Sequence, residues 1–254
     1  MSNDRLELTY RLTFVTPFHF GTGLREGLID RSVRRDPQGY LYVPGATLKG
    51  VVREHCEQIC RLLEPNNERI ASPHDQENAL IDLYNPDTKT LITHIFGSAN
   101  HPGLLFFDNA QQSDADRKLY ESTDKREAGG KYKHIQTEIY TQVRLDRLTR
   151  TAVQGALYTS EFGRRALSFE GTITGWIQHT DIPNLPHVSQ ELLLLLAGLL
   201  MIERLGGNKS TGKGVCTNEV EHITINDKET YTREHWATWL EHLDQLTVSG
   251  GTRS

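Results

Sequence analysis

Cysteine is scarce in this 254-residue chain: Cys56, Cys60 and Cys216 make an odd number that excludes a disulfide-stapled framework. Long apolar runs are missing too. The longest, residues 192–202, is too short to span a bilayer, and Met1, Ser2, Asn3, Asp4 and Arg5 open no signal peptide, so a cytoplasmic protein with no membrane partner is expected. Excess positive charge is also lacking. The formal net charge is −5, which argues against a protein that coats nucleic acid through bulk electrostatics and directs attention to where the cations sit.

One stretch lacks acids altogether. Residues 206–214 hold Gly206, Gly207, Gly212 and Gly214 with Lys209, Lys213, Ser210 and Thr211. Glycine admits positive φ and brings backbone N–H groups close to a ligand, and lysine supplies the charge that phosphate requires. The segment therefore reads as a phosphate-binding loop. Gly207, Gly212 and Lys213 fit G-x-x-x-x-G-K, but Gly214 stands where a nucleotide-binding loop needs a Ser or Thr for Mg²⁺, and the order helix, loop, strand is reversed. An NTPase is excluded on those grounds, while a glycine stop to the preceding helix explains only one of the four glycines.

The arginines and lysines cluster in three places: residues 25–53, residues 144–165, and around the glycine loop with Arg204. They could converge on one basic groove or form ordinary solvated faces. Cys56 and Cys60 lie near His55, yet no C-x-x-C or H-x-x-x-H spacing accompanies them, so buried core thiols are expected and a structural zinc is not.

Leu6, Leu8, Tyr10, Leu12 and Phe14 alternate with polar residues, predicting a half-buried strand that Pro17 ends. Residues 18–42 read as a glycine- and arginine-rich loop. Leu48, Val51, Val52, His55, Cys56, Ile59 and Leu63 recur at helical spacing, predicting a helix from Pro44 whose first turn, with Lys49 and Gly50, forms an anion site. Residues 104–107 and 167–177 predict strands; residues 111–133 read as a polar, mobile excursion. Ser189 caps an apolar helix over 191–204, residues 220–225 form a final core strand, and Trp236, Trp239, Leu240 and Leu243 predict an amphipathic helix before a frayed tail from 248. The order predicts an α+β, ferredoxin-like core.

Four segments together resemble one family. Val43, Pro44, Gly45, Ala46, Thr47, Leu48, Lys49 and Gly50 with Arg53 resemble P-G-[ST]-[ST]-L-K-G-x-x-R; Ile95, Phe96 and Gly97 resemble I-F-G; Leu145, Asp146, Arg147, Leu148 and Thr149 resemble I-D-R-x-T; and residues 206–214 resemble a glycine-rich loop, all in the order found in the RAMP superfamily. Within that superfamily the chain resembles the backbone subunit of type III CRISPR-Cas effector complexes.

That resemblance implies a single domain over 1–254, with an RNA-recognition-motif-like core, a helical or irregular lid inserted at about 64–94 and a thumb at about 111–160. It implies copies stacked along a guide (crRNA), adjacent backbone subunits, large signalling and small subunits, and a complementary target RNA. His19, Lys49, Arg53, Arg147, Thr149, Arg150, Thr151, Gly207, Lys209, Ser210, Gly212 and Lys213 are the implied RNA contacts. Asp30 stands where slicing members carry an aspartate, so the resemblance implies target cleavage through Asp30 with Mg²⁺ or another divalent cation held there. Asp36, in Asp36, Pro37, Gln38, Gly39, is sufficiently explained as a turn. Two alternatives stand beside this reading: a non-catalytic RNA-binding subunit, and a guide-processing endoribonuclease using His55 or His19 without metal.

Overall fold

The computed structural model describes residues 3–64, 90–123, 136–178, 181–182 and 185–246. Most of the expected lid and the tail from 248 fall outside the described residues.

The first strand, β1 (Asn3–Phe14), follows from its alternation: Leu6, Leu8, Tyr10, Leu12 and Phe14 are buried, and the residues between them face the other side. β1 lies at the centre of an antiparallel sheet. On one side it pairs with β10 (Cys216–Ile225), with a register shift between Thr9 and Tyr10; on the other it pairs with β7 (Ser168–Gln178). Beyond β7 lie β3 (Leu105–Phe107), β4 (Ala110–Gln112) and, paired to β4, β2 (Tyr42–Val43), while β11 (Glu229–Tyr231) closes the opposite edge.

Two helices cover one face. The apolar stripe read from the sequence forms α1 (Gly45–Leu63), and α4 (Gln190–Leu200) lies against it with nine consecutive buried residues from Glu191 to Leu199. The Ser189 hydroxyl accepts from Leu192 N–H, so the expected cap is present. Gly198 permits the close approach, since a Cβ there would come 2.4 Å from Cys56 Sγ. The four core strands, ordered β10, β1, β7, β4 and crossed by α1 and α4, make this an α+β fold of ferredoxin-like topology.

Boundaries shift where local signals are weak. α4 ends at Leu200 rather than 204, and β10 starts at Cys216, because polar Thr217, Asn218 and Glu219 hide a strand whose pairing to β1 is long-range. The polar stretch after 111 is partly regular: Ala110–Gln112 belongs to the sheet, and Asp114–Thr123 is a helix, α3. A short helix, α2 (Leu91–Phe96), precedes Gly97. Trp236 and Trp239 lie buried in α5 (Arg233–Trp239), after which the helix tightens into a 3₁₀ turn (Leu240–Gln245) kinked at His242.

Candidate RNA interface

A two-stranded ribbon, β5 (Thr137–Leu145) and β6 (Ala152–Gly163), pairs only with itself among the described strands and runs from a buried root to an exposed tip. It overlaps residues 111–160, where a thumb is expected, and runs three residues past them. At its root Phe162 is buried and Tyr140 meets it edge-on at 5.3 Å; Ile139 beside them and Val143, Leu145 and Leu157 farther out are exposed. The tip is an Asp146 turn, whose carboxylate accepts the Leu148 and Thr149 N–H groups, bonds that hold its pKa below the ordinary value. Arg147, Thr149, Arg150 and Thr151 all lie at this exposed tip, and Thr149 and Thr151 share a hydroxyl hydrogen bond of 2.8 Å.

Three other segments meet the ribbon root. Phe18 and Phe20 insert into the core beside Phe14, with ring centroids 4.0 and 5.9 Å away, and their alternation turns His19 outward. His19 Nδ1 donates to Glu161 O at 2.7 Å, which leaves Nε2 beside Gly21. Residues 18–35 are not the open loop expected. Gly21 pairs with Val33, Thr22 N–H donates to Ser32 O, and Arg34 N–H donates to Phe20 O, giving an irregular hairpin laid on β6.

Asp30 hangs from β6 through Thr159. Its backbone N–H donates to Thr159 O at 2.9 Å, and Thr159 N–H donates to its Oδ2 at 2.9 Å; Oδ1 stands 3.5 Å from Nε of the exposed Arg25. About a third of the side chain remains accessible. Asp36 instead stays within its turn, accepting Gln38 and Tyr40 N–H groups and facing Arg117 at 3.5 Å.

The glycine loop is the fourth wall. Gly206 (φ +92°), Asn208 (φ +61°), Gly212 (φ +79°) and Gly214 (φ +73°) bend it through left-handed backbone, and Gly207 N–H to His19 O and Gly214 N–H to Pro17 O, both 2.8 Å, moor it to the His19 segment. Lys209, Ser210 and Gly212 are exposed on its crest. Lys213 folds back, with Nζ 4.3 Å from the Tyr140 ring centroid and 5.3 Å from that of Phe162. Between the loop, the His19 segment and α1 lies a cleft of about 360 Å³, lined by His19, Thr47, Val51, Gly207 and Lys209.

The start of α1 is less open than the sequence implies. Gly45 N–H donates to Asn109 Oδ1 and Thr47 N–H to Pro44 O, so two of its first donors already have partners. Lys49 is half-buried, its Nζ 5.9 Å from the Phe107 ring, and burial followed by repulsion from Arg53 lowers its pKa. Arg53 turns inward, donating to Glu57 at 3.1 Å and to Gly97 O at 3.1 Å. The basic clusters meet only in part: Arg31, Arg35 and Arg164 lie at the ribbon root, Arg147 and Arg150 lie at its tip, and the guanidinium groups of Arg35 and Arg53 act as internal ties. Among the described residues no three His, Cys, Asp or Glu side chains gather into a metal cluster, and the three cysteines are buried.

A model of the RAMP superfamily matches residues 11–217. The chain belongs to the RAMP superfamily. Its fold is similar to that of a chain in the cryo-EM structure of the type III-B Cmr-beta bound to cognate target RNA (TM-score 0.53, 13% identity, covering 84% of this chain and 96% of the other). A chain of the type III-B Cmr-beta in its apo state gives a TM-score of 0.48 at 14% identity, with the same coverage. No curated protein matches the sequence. In this RAMP protein the glycine loop and the first turns of α1 stand on two sides of one cleft.

Sequence reading misses the residues that join these pieces: Thr159, which holds Asp30, and Tyr140 and Phe162, which receive Lys213. A lone acid, Glu161, between Ser160 and Phe162 is the available signal that this strand has a buried polar partner.

Proposed function

We propose that this chain is a guide-RNA-binding backbone subunit of a type III CRISPR effector complex and cleaves bound target RNA at Asp30. One observation carries the reading: a part-exposed carboxylate is fixed to the root of a projecting ribbon whose same strand, through the Glu161 carbonyl, also holds His19 in the wall of the glycine-loop cleft that Lys209 lines. Thr159 and Glu161 are two residues apart on β6, so Asp30 and His19 attach about 7 Å apart along the strand. The ribbon tip is seven residues beyond Thr159, about 23 Å away, so Arg147, Thr149, Arg150 and Thr151 contact a different part of the RNA.

In this reading Gly207, Lys209, Ser210, Gly212 and Lys49 take guide phosphates at and beside the cleft, giving affinity without sequence preference. His19 adds Nε2, while Arg53 and Lys213 hold the helix start and the loop in place. The ribbon parts guide and target, and adjacent subunits repeat the arrangement along the guide. Asp30 Oδ1 then takes the proton of a target 2′-hydroxyl as that oxygen attacks the adjacent phosphorus, the P–O5′ bond breaks, and the products are a 2′,3′-cyclic phosphate and a 5′-hydroxyl whose oxygen takes its proton from water. A Mg²⁺ ion would fit this donor set only with RNA phosphates as further ligands, since Oδ2 already accepts the Thr159 N–H and leaves Oδ1, 3.5 Å from Arg25, to the ion; when bound it would neutralise charge on the phosphate under attack.

A second reading has its own support: both Asp30 oxygens have protein neighbours, as in a purely structural carboxylate. The test uses the complex purified with its guide, complementary labelled RNA and Mg²⁺. Asp30→Ala is expected to abolish specific cuts and keep target affinity. Equal cutting by wild type and variant, or none by either, would reduce the chain to a scaffold. A histidine-based processing activity would fall to His19, which lines the cleft, whereas His55 lies between α1 and α4 with its Nδ1 donating to Gly198 O at 3.1 Å.

A further inference from the structure

Glu161 is a carboxylate that contributes nothing to the surface, with 1% of its side chain exposed, at the root of the ribbon. Arg35 grips it with two nitrogens, Nη2 to Oε1 at 2.6 Å and Nη1 to Oε2 at 3.2 Å. Thr137 Oγ1 donates to Oε1 at 3.0 Å from β5, and Val33 N–H donates to Oε2 at 3.2 Å from the Asp30 segment. Its backbone is equally engaged: its N–H donates to Arg31 O at 2.9 Å and its carbonyl accepts from His19 at 2.7 Å. One residue therefore binds the His19 segment, both sides of the Asp30 segment's return and the opposite strand of the ribbon.

The energetics point away from stability as the reason for a charge here. A buried ion pair recovers its desolvation cost only with good geometry, and well-packed apolar residues in its place are often as stable. What the charge supplies is direction: Arg35 and Val33 N–H are drawn to fixed points on a rigid strand. Asp30's carboxylate is held by the Thr159 N–H and the exposed Arg25, and the Asp30 and Arg31 N–H groups both donate to Thr159 O; the next anchor along the chain, which holds residues 31–35 against the ribbon, is Glu161.

We propose that Glu161 is a positioning residue for the reaction assigned to Asp30: through Val33, Arg35 and the Arg31 carbonyl it sets the register of the Asp30 segment on the ribbon. The proposal rests on the reading of Asp30 as the cutting residue. Glu161 never touches RNA in this scheme. It acts by holding Asp30 within reach of one phosphodiester, and misplacement of a reacting group by about 1 Å costs roughly 10²-fold in rate.

The experiment compares wild type, Asp30→Ala, Glu161→Gln and Arg35→Lys in guide-loaded complexes, reading target affinity, single-turnover cutting rate and cut position. Amide exchange of Asp30, Arg31 and Val33 is followed in the full chain. Glu161→Gln is expected to bind target within about twofold of wild type, cut roughly 10²-fold more slowly, spread its cuts to neighbouring phosphodiesters, and exchange the three amides faster. Arg35→Lys keeps the charge and gives up the two-pronged grip, so it should show the same split at smaller size; it decides the matter if Glu161→Gln fails to assemble. Wild-type rate and cut position in Glu161→Gln, with Asp30→Ala inactive, overturn the proposal and leave the Asp30 reading intact. A uniform loss of binding and stability with unchanged exchange at residues 30–33 also overturns it, as a merely structural role. If Asp30→Ala cuts like wild type, the Asp30 reading falls, and amide exchange alone still shows whether Glu161 sets this segment.

Discussion

Gly214 turns the glycine loop into β10 at φ +73°, where an added Cβ would come 2.1 Å from Leu205 O. Both strain and backbone overlap oppose any larger residue. Gly214→Ala should destabilise the chain by about 1–3 kcal/mol in a urea titration and weaken guide binding with it. Gly212, equally left-handed but with open space around it, should tolerate alanine at a smaller cost. Glu161 gives a residue-scale pH signature. Burial pushes its carboxyl up, but Arg35, Val33 N–H and Thr137 outweigh this and hold it below the ordinary glutamate value. Its contribution to stability is therefore present above the unfolded-state value and is lost as pH falls towards the folded one. The stability difference between wild type and Glu161→Gln, from denaturant midpoints at pH 7 and stepwise to pH 3, should shrink with acidification; a constant difference would show that the charge state of Glu161 is immaterial.

At the level of elements, a cation on α1 and one on the glycine loop have different jobs. Arg53 clamps the turn after α2 through Gly97 O, while Lys209 on the opposite side of the cleft is exposed. Arg53→Met should lower stability by roughly 1–3 kcal/mol, by leaving Glu57 and Gly97 O short of a donor, and should leave the salt dependence of guide binding unchanged. Lys209→Ala should do the reverse, reducing the slope of log affinity against log salt by about 0.7 for each single-strand phosphate that is no longer neutralised, with little change in stability. The elements themselves are differently legible. β1, α1 and α4 announce themselves because burial imposes period two or an apolar stripe on their own residues. The segment 18–35 and the ribbon root do not. Asp30 and Val33 meet Thr159 and Glu161 more than a hundred residues away, Tyr140 meets Lys213 more than seventy away, and no local pattern encodes such pairing. Charge marks Arg53 and Lys213 as phosphate ligands, yet charge alone does not distinguish a side chain that faces a ligand from one that faces a buried carboxylate or an aromatic ring.

In the whole molecule, the sheet and its two covering helices form the rigid part, and the candidate site lies where the ribbon, the Asp30 segment and the glycine loop meet beside it. No helix among the described residues is long and apolar enough to cross a membrane. The fold class, the order of the core elements and the glycine loop are all readable from the sequence; the division of the site into a root with Asp30 and His19 and a remote tip with Arg147 and Arg150 is not, because it depends on ribbon length and register.

The central position of β1 bears on how the chain is made. Its partners, β7 and β10, are synthesised about 150 and 200 residues later. At typical elongation rates of about 5–20 residues per second, the strand waits on the order of 10–40 s for its second neighbour, with an alternating apolar face open throughout. A topology so dominated by distant pairings folds slowly. The nascent protein should therefore depend on chaperones, and the proposed guide-binding cleft, whose walls come from residues 19 and 209, is among the last features to form.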